Sequence, residues 1–251
     1  MNHLTASLIV AACVFLAACI GLMVHRVQPE SHRTKETLDV VRLGTGMVSV
    51  LASLVLGLLI ATAKSSSDTT DHDVRSFAAE LILLNETLRD YGDTAANPRD
   101  LLRQFTTQTL RDLWSNEGAP QIDNPRTAEL LEHVREAIRA LKPVDGGQRW
   151  LQDQALQINV SLIRQRWQLI ERQGSNIQLV VVGILVFWVA AIFASFGLNA
   201  PRNATVVVAF LVCALSIGCA VFLILEMDSP FQGVLRLSKQ PLTNALAHMQ
   251  L

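Results

Sequence analysis

The amino-acid sequence predicts an all-α, polytopic membrane protein: four transmembrane helices in two hairpins, with an extramembrane helical bundle inserted between spans two and three. Three observations carry this. Leu4 to Val24, Leu43 to Ala63, Ile177 to Leu198 and Ala204 to Leu225 are apolar and hold no charge. Each is roughly 20 residues, the length a helix needs to cross about 30 Å of hydrocarbon. Between the second and third stretches charge rises, apolar residues recur at helical spacing, and no strand-like alternation occurs.

Composition agrees. Of 251 residues, 50% are hydrophobic and 17% charged, and the mean hydropathy is +0.32. A soluble domain rarely combines such values. A backbone in lipid must satisfy its own N–H and C=O groups, so each span is expected as a helix. The boundaries follow from hydropathy: residues 1–63 form the first hairpin, 64–176 the extramembrane helical domain, 177–226 the second hairpin and 227–251 an amphipathic tail. The expected location is the cell inner membrane, multi-pass, with the lipid bilayer as the first partner.

Within the central domain, Val74, Phe77, Leu81, Leu84, Leu88 and Tyr91 share one helix seam that ends near Gly92. Asn97-Pro98 reads as an N-cap and first turn, followed by Leu101, Leu102, Phe105 and Leu113. A third helix is expected near 126–142, with Leu130, Val134, Ile138 and Leu141 inward. A fourth spans about 148–172, with Leu151, Ala155, Ile158, Leu162 and Leu169 in register. In the tail, Leu242, Leu246 and Met249 share a face that either lies on the membrane or docks on the bundle.

Charge leaves the orientation open. Arg26, Arg33, Lys35, Arg42 and Arg202 flank the spans on the loop side, whereas Lys64, Arg164, Arg166 and Arg172 flank them on the domain side. The positive-inside rule therefore points both ways. A net charge of -1 and the absence of a basic run argue against nucleic acid as a partner. Cys13, Cys19, Cys213 and Cys219 all lie inside apolar stretches and read as packing residues rather than a disulfide or metal framework. Ala-Ala-Cys occurs twice near the start, but no positive segment precedes it and apolar residues continue to Val24, so a retained span is expected.

No enzyme is predicted, and no cofactor or metal. The chain lacks a phosphate-loop, HExxH, GxSxG or dinucleotide-binding pattern, and its six histidines do not pair at ligand spacing. The informative feature is the second span, where Thr45, Ser49, Ser53, Gly57, Ala61 and Ser65 recur every four residues. Small and hydroxyl side chains either let helices approach closely or, in a ring of identical subunits, line a narrow wet pore. Lys64 at the end of the stripe would then favour a small anion, although a lone lysine there also serves as an interfacial anchor. Glu226 and Asp228, where the fourth span ends, are expected to be solvated; a role at a gate or as a partner for bundle arginines is the sharper alternative. Trp188 within the third span is expected to pack on a neighbouring helix.

Several stretches resemble a family. The segments Asp39-Val40-Val41-Arg42-Leu43-Gly44, Ala52-Ser53-Leu54-Val55-Leu56-Gly57 and Ala61-Thr62-Ala63-Lys64-Ser65-Ser66 belong to the second span and its exit. Together with Ala200-Pro201-Arg202-Asn203-Ala204 and Asp228-Ser229-Pro230-Phe231-Gln232-Gly233, they resemble the bacterial bestrophin-like membrane protein family, a domain of unknown function. The resemblance implies a homo-oligomeric ion channel, chloride-conducting by its label, with the second span lining the pore. One departure stands out: bestrophins carry aromatic residues at the pore neck, and Leu43 to Ala63 has no Phe, Tyr or Trp. The alternative is a membrane-anchored sensory or interaction protein whose bundle binds a partner and which transports nothing.

Overall fold

The computed structural model describes residues 3–24, 35–114, 121, 123–171, 179–201, 203–231 and 233–250. Arg26, Arg33, Arg172 and Arg202 lie outside these residues. Eight α-helices, α1 to α8, are present, and no strand occurs among the described residues. Among the described residues, four helices are long and apolar enough to cross a membrane. The chain divides into two compact units, Met1–Ser66 with Ser175–Asp228, and Ser67–Gly174 with Ser229–Leu251.

The first unit holds α1 (His3–Val24), the start of α2 (Lys35–Tyr91), α6 (Leu179–Asn199) and α7 (Ala204–Met227). Asn203 caps α7, its side chain accepting from the Val206 N–H at 2.9 Å. The core gathers Val14 and Ala18 of α1, Ala52 of α2, Leu185, Val189, Ile192 and Phe193 of α6, and Ala214 of α7. Trp188 packs against this cluster, partly buried.

Small residues bring α1 into close contact with α6 and α7. A methyl on Gly21 would collide with the Ala194 carbonyl, and one on Gly197 with the Ala18 carbonyl. On α7, a methyl on Gly218 would stand 2.9 Å from Ala11 Cβ and 3.1 Å from the Ser7 carbonyl oxygen. Close approach of backbones replaces the hydrophobic drive that lipid removes between helices.

The second unit is a bundle of the rest of α2, α3 (Ala96–Leu113), α4 (Pro125–Arg139), α5 (Gly146–Glu171) and α8 (Gln240–His248). α2 is helical through Ser65-Ser66-Ser67-Asp68 and stops at Tyr91. There Gly92 takes φ 110°, a conformation that side chains resist. Val74, Phe77, Leu81, Leu84, Leu88 and Tyr91 are all buried in one core with Leu102, Phe105, Leu131, Val134, Ile138, Ala155 and Leu162. Phe77 and Phe105 meet edge to face, 6.2 Å between centroids.

Asn97 is not the cap of α3. A single 3-10 turn, Asp93–Ala95, follows Gly92 and starts α3 at Ala96. Asn97 and Pro98 then occupy the first turn, where proline's missing N–H has no helical partner to lose. The tail docks on the bundle: Leu242, Ala245 and Met249 join its core. Trp114 Nε1 donates to the Leu237 carbonyl at 2.9 Å, and its ring meets Phe231 edge to face.

Polar groups close the bundle's joints. Asn124 caps α4, accepting from the Arg126 N–H at 3.1 Å. Its amide donates to Asp112 at 3.1 Å, and the Thr127 hydroxyl donates to the same carboxylate. Gln152 donates to the Ile138 and Leu141 carbonyls where α4 ends. Arg166 of α5 is buried and donates to the Asn124 carbonyl at 3.3 Å. Burial lowers its guanidinium pKa from the ordinary value, opposed by the carboxylates of Asp123 and Asp112.

The exposed face of the second helix as candidate functional site

The apolar half of α2 packs along one side against other helices of the same unit. Ala52 and Ala63 are buried there, with Val48, Val55, Leu56 and Leu59 packed partly beside them. These positions return at three- and four-residue steps, the period of a helix face. Leu43, Met47, Val50, Leu54 and Leu58 are exposed on the opposite side. Of the four candidate spans, α2 is the least covered: 11% of its apolar window is buried, against 33%, 33% and 22% for α1, α6 and α7.

The small-residue stripe does not keep to one side. A four-residue step advances about 40° around a helix of 3.6 residues per turn, so Ala61 lies about 160° from Thr45. Thr45 faces α6, its hydroxyl 2.8 Å from that of Ser195. Ser49, half-buried, donates to the Thr45 carbonyl at 2.7 Å, and Ser53 donates to the Ser49 carbonyl at 2.8 Å. Ser53, Gly57, Ala61 and Lys64 are all exposed. Apart from the local backbone of α2 itself, no heavy atom of the described residues lies within 4 Å of a methyl built on Gly57, Gly44 or Gly46.

Small residues thus stand in two different settings, against another backbone and on an exposed helix face. Close packing within this unit uses Gly21, Gly197 and Gly218, which the sequence reading did not single out. Their signal was present in Ala18-xx-Gly21, Ala194-xx-Gly197 and Ala214-xxx-Gly218. Within the stripe, Thr45 is joined to α6 by a side-chain hydrogen bond. Ser49 and Ser53 spend their hydroxyl protons on their own backbone, which leaves oxygen lone pairs rather than donors pointing outward.

The acidic pair at the end of α7 departs from expectation. Glu226 is only 2% exposed, whereas Asp228 is half-buried and forms the C-cap of α7. A carboxylate held that far from water needs partners, and Glu226 has at least one. Cys13, Cys213 and Cys219 are exposed, Cys19 is half-exposed, and all four are free thiols on α1 and α7.

Four apolar helices, a helical bundle between the second and third, and a short helix returning to that bundle define a polytopic all-α membrane protein. The chain belongs to the bestrophin-like family: the Bestrophin-like domain matches residues 11–242. Solved structures share the fold. One variant of a bacterial bestrophin homologue from Klebsiella pneumoniae superposes with a TM-score of 0.72 at 13% identity, covering 99% of this chain and 97% of that one. A second variant gives 0.70 at 12% identity, with 97% of each chain covered. A further structure of the Klebsiella pneumoniae homologue, phased on zinc, gives 0.68 at 12% identity over 96% of each chain. No curated protein matches the chain.

Proposed function

We propose that the chain is one subunit of a homo-oligomeric ion channel in the bacterial inner membrane, with the exposed side of α2 facing the pore. The supporting observation is the exposed side of the apolar half of α2, where Ser53, Gly57 and Ala61 are all exposed and a methyl on Gly57 would meet open space among the described residues. Family membership supports the same reading. Leu54 and Leu58, exposed beside Gly57, are the candidate constriction, closing the path by dewetting rather than by an aromatic ring. Lys64 is the cationic group at the bundle end of that face and the proposed source of any preference for small anions.

Planar-bilayer recording of the purified protein tests this reading. Ser53→Trp and Gly57→Leu should each abolish unitary current while the oligomer persists in detergent. Unchanged current in both variants removes α2 from the pore. A monomer or dimer without current favours the membrane-anchored sensory alternative, for which the separate core of the bundle is the supporting feature.

A further inference from the structure

A cavity of about 490 Å³ opens in the bundle between α3, α4 and the C-terminal segment, within the size range of small-molecule sites. Arg103, Thr107 and Arg111 of α3 follow one another at four-residue steps along its wall. Leu130 of α4 and Leu246 of α8 supply an apolar wall, and Gln250, just past α8, adds an amide. None of the lining residues is acidic.

The carboxylates nearest in sequence are engaged with other groups. Asp100 accepts from Arg103 Nη2 at 2.6 Å and from Gln104 Nε2 at 2.8 Å. Asp112 accepts from Gln108 Nε2 at 2.8 Å, from Asn124 at 3.1 Å and from the Thr127 hydroxyl. Arg111 has no ion pair or side-chain hydrogen bond among the described residues. A planar guanidinium with all its donors available, set on a cavity with an apolar wall, matches an anionic head carried on an apolar body.

We propose that this cavity binds a small organic anion, its phosphate or carboxylate head on Arg111 and its body against Leu130 and Leu246. Arg103 keeps donors beyond the one it gives Asp100, and Thr107 lies between the two arginines. The ligand would tie the C-terminal helix to α3 and α4, so α8 is the element whose docking it controls. This site is independent of the pore assignment.

Thermal unfolding of the detergent-purified full chain, at matched ionic strength, tests it. The probes are adenosine monophosphate, adipate and inorganic phosphate, each to about 10 mM, a range that detects millimolar affinity. At least one organic probe should raise the midpoint more than inorganic phosphate does. Arg111→Ala, which removes an exposed side chain, should weaken that probe by about tenfold. Leu246→Trp, which fills the cavity, should abolish its effect. No shift beyond matched sodium chloride from either organic probe overturns the proposal. A shift from inorganic phosphate alone overturns it as well, as does binding unchanged in both variants.

Discussion

Gly21 of α1 and Gly197 of α6 face each other reciprocally across one helix crossing. Each sits against a carbonyl three residues before the other, Ala194 for Gly21 and Ala18 for Gly197. Neither helix can add a methyl there without separating the pair. Gly21→Ala and Gly197→Ala should each lower the stability of the membrane unit by about 1–3 kcal/mol, the cost of overpacking. Gly57→Ala should cost nothing and gain up to about 1 kcal/mol from helix propensity, because its methyl meets open space within the subunit. Denaturant titration in detergent distinguishes the positions. Equal effects at all three would mean that α2 is as tightly packed as α1.

The Thr45–Ser195 hydroxyl pair joins α2 to α6. A cycle of Thr45→Val, Ser195→Ala and the double variant should return a coupling of about 0.6 kcal/mol, with about 1.7 kcal/mol as a ceiling for such bonds in membranes. Zero coupling would place Thr45 elsewhere and extend the uncovered face of α2 toward its N-terminal end.

If α2 lines the pore, Lys64→Glu reverses the charge at the bundle end of that face. Under a salt gradient, the reversal potential should move toward the cation value, lowering the anion-to-cation permeability ratio by roughly threefold or more. Lys64→Gln should fall between the two. A potential identical in all three proteins would assign Lys64 to membrane anchoring alone.

Asn124 both caps α4 and donates to Asp112 of α3. Asn124→Ala should therefore cost about 1–2 kcal/mol, the upper part of the range for a lost cap. Asn124→Asp should retain the cap but set a second carboxylate beside Asp112, and is expected to recover only part of that loss at neutral pH. Recovery should increase on acidification as one carboxylate takes up a proton. Melting curves of the three proteins at two pH values provide the check.

Much of this architecture was legible in the residues. Helix seams such as Val74 to Tyr91 are read directly, because a repeat of three and four residues permits only one buried face. Gly92 announced the end of α2 through its freedom of φ. The start of α3 was misplaced by two residues, with the cap at Ala95 rather than Asn97, because a 3-10 turn is too short to leave a periodic signal. The docking of the tail was undecided for a related reason: one apolar face suits lipid and protein equally, and only Leu242 and Ala245 in the bundle core settle the matter.

Crossing a membrane is a property of each segment by itself. About 20 uncharged residues cannot hydrogen-bond lipid, so they must coil, and no neighbour is needed to know it. Which side of each helix is covered depends on the other helices. The stripe from Thr45 to Ala61 looks uniform when written out, yet it turns about 40° at every step. One end therefore meets Ser195 while the other is exposed. The burial of Glu226 and the cavity that exposes Arg111 arise in the same way, from segments distant in sequence brought together by packing.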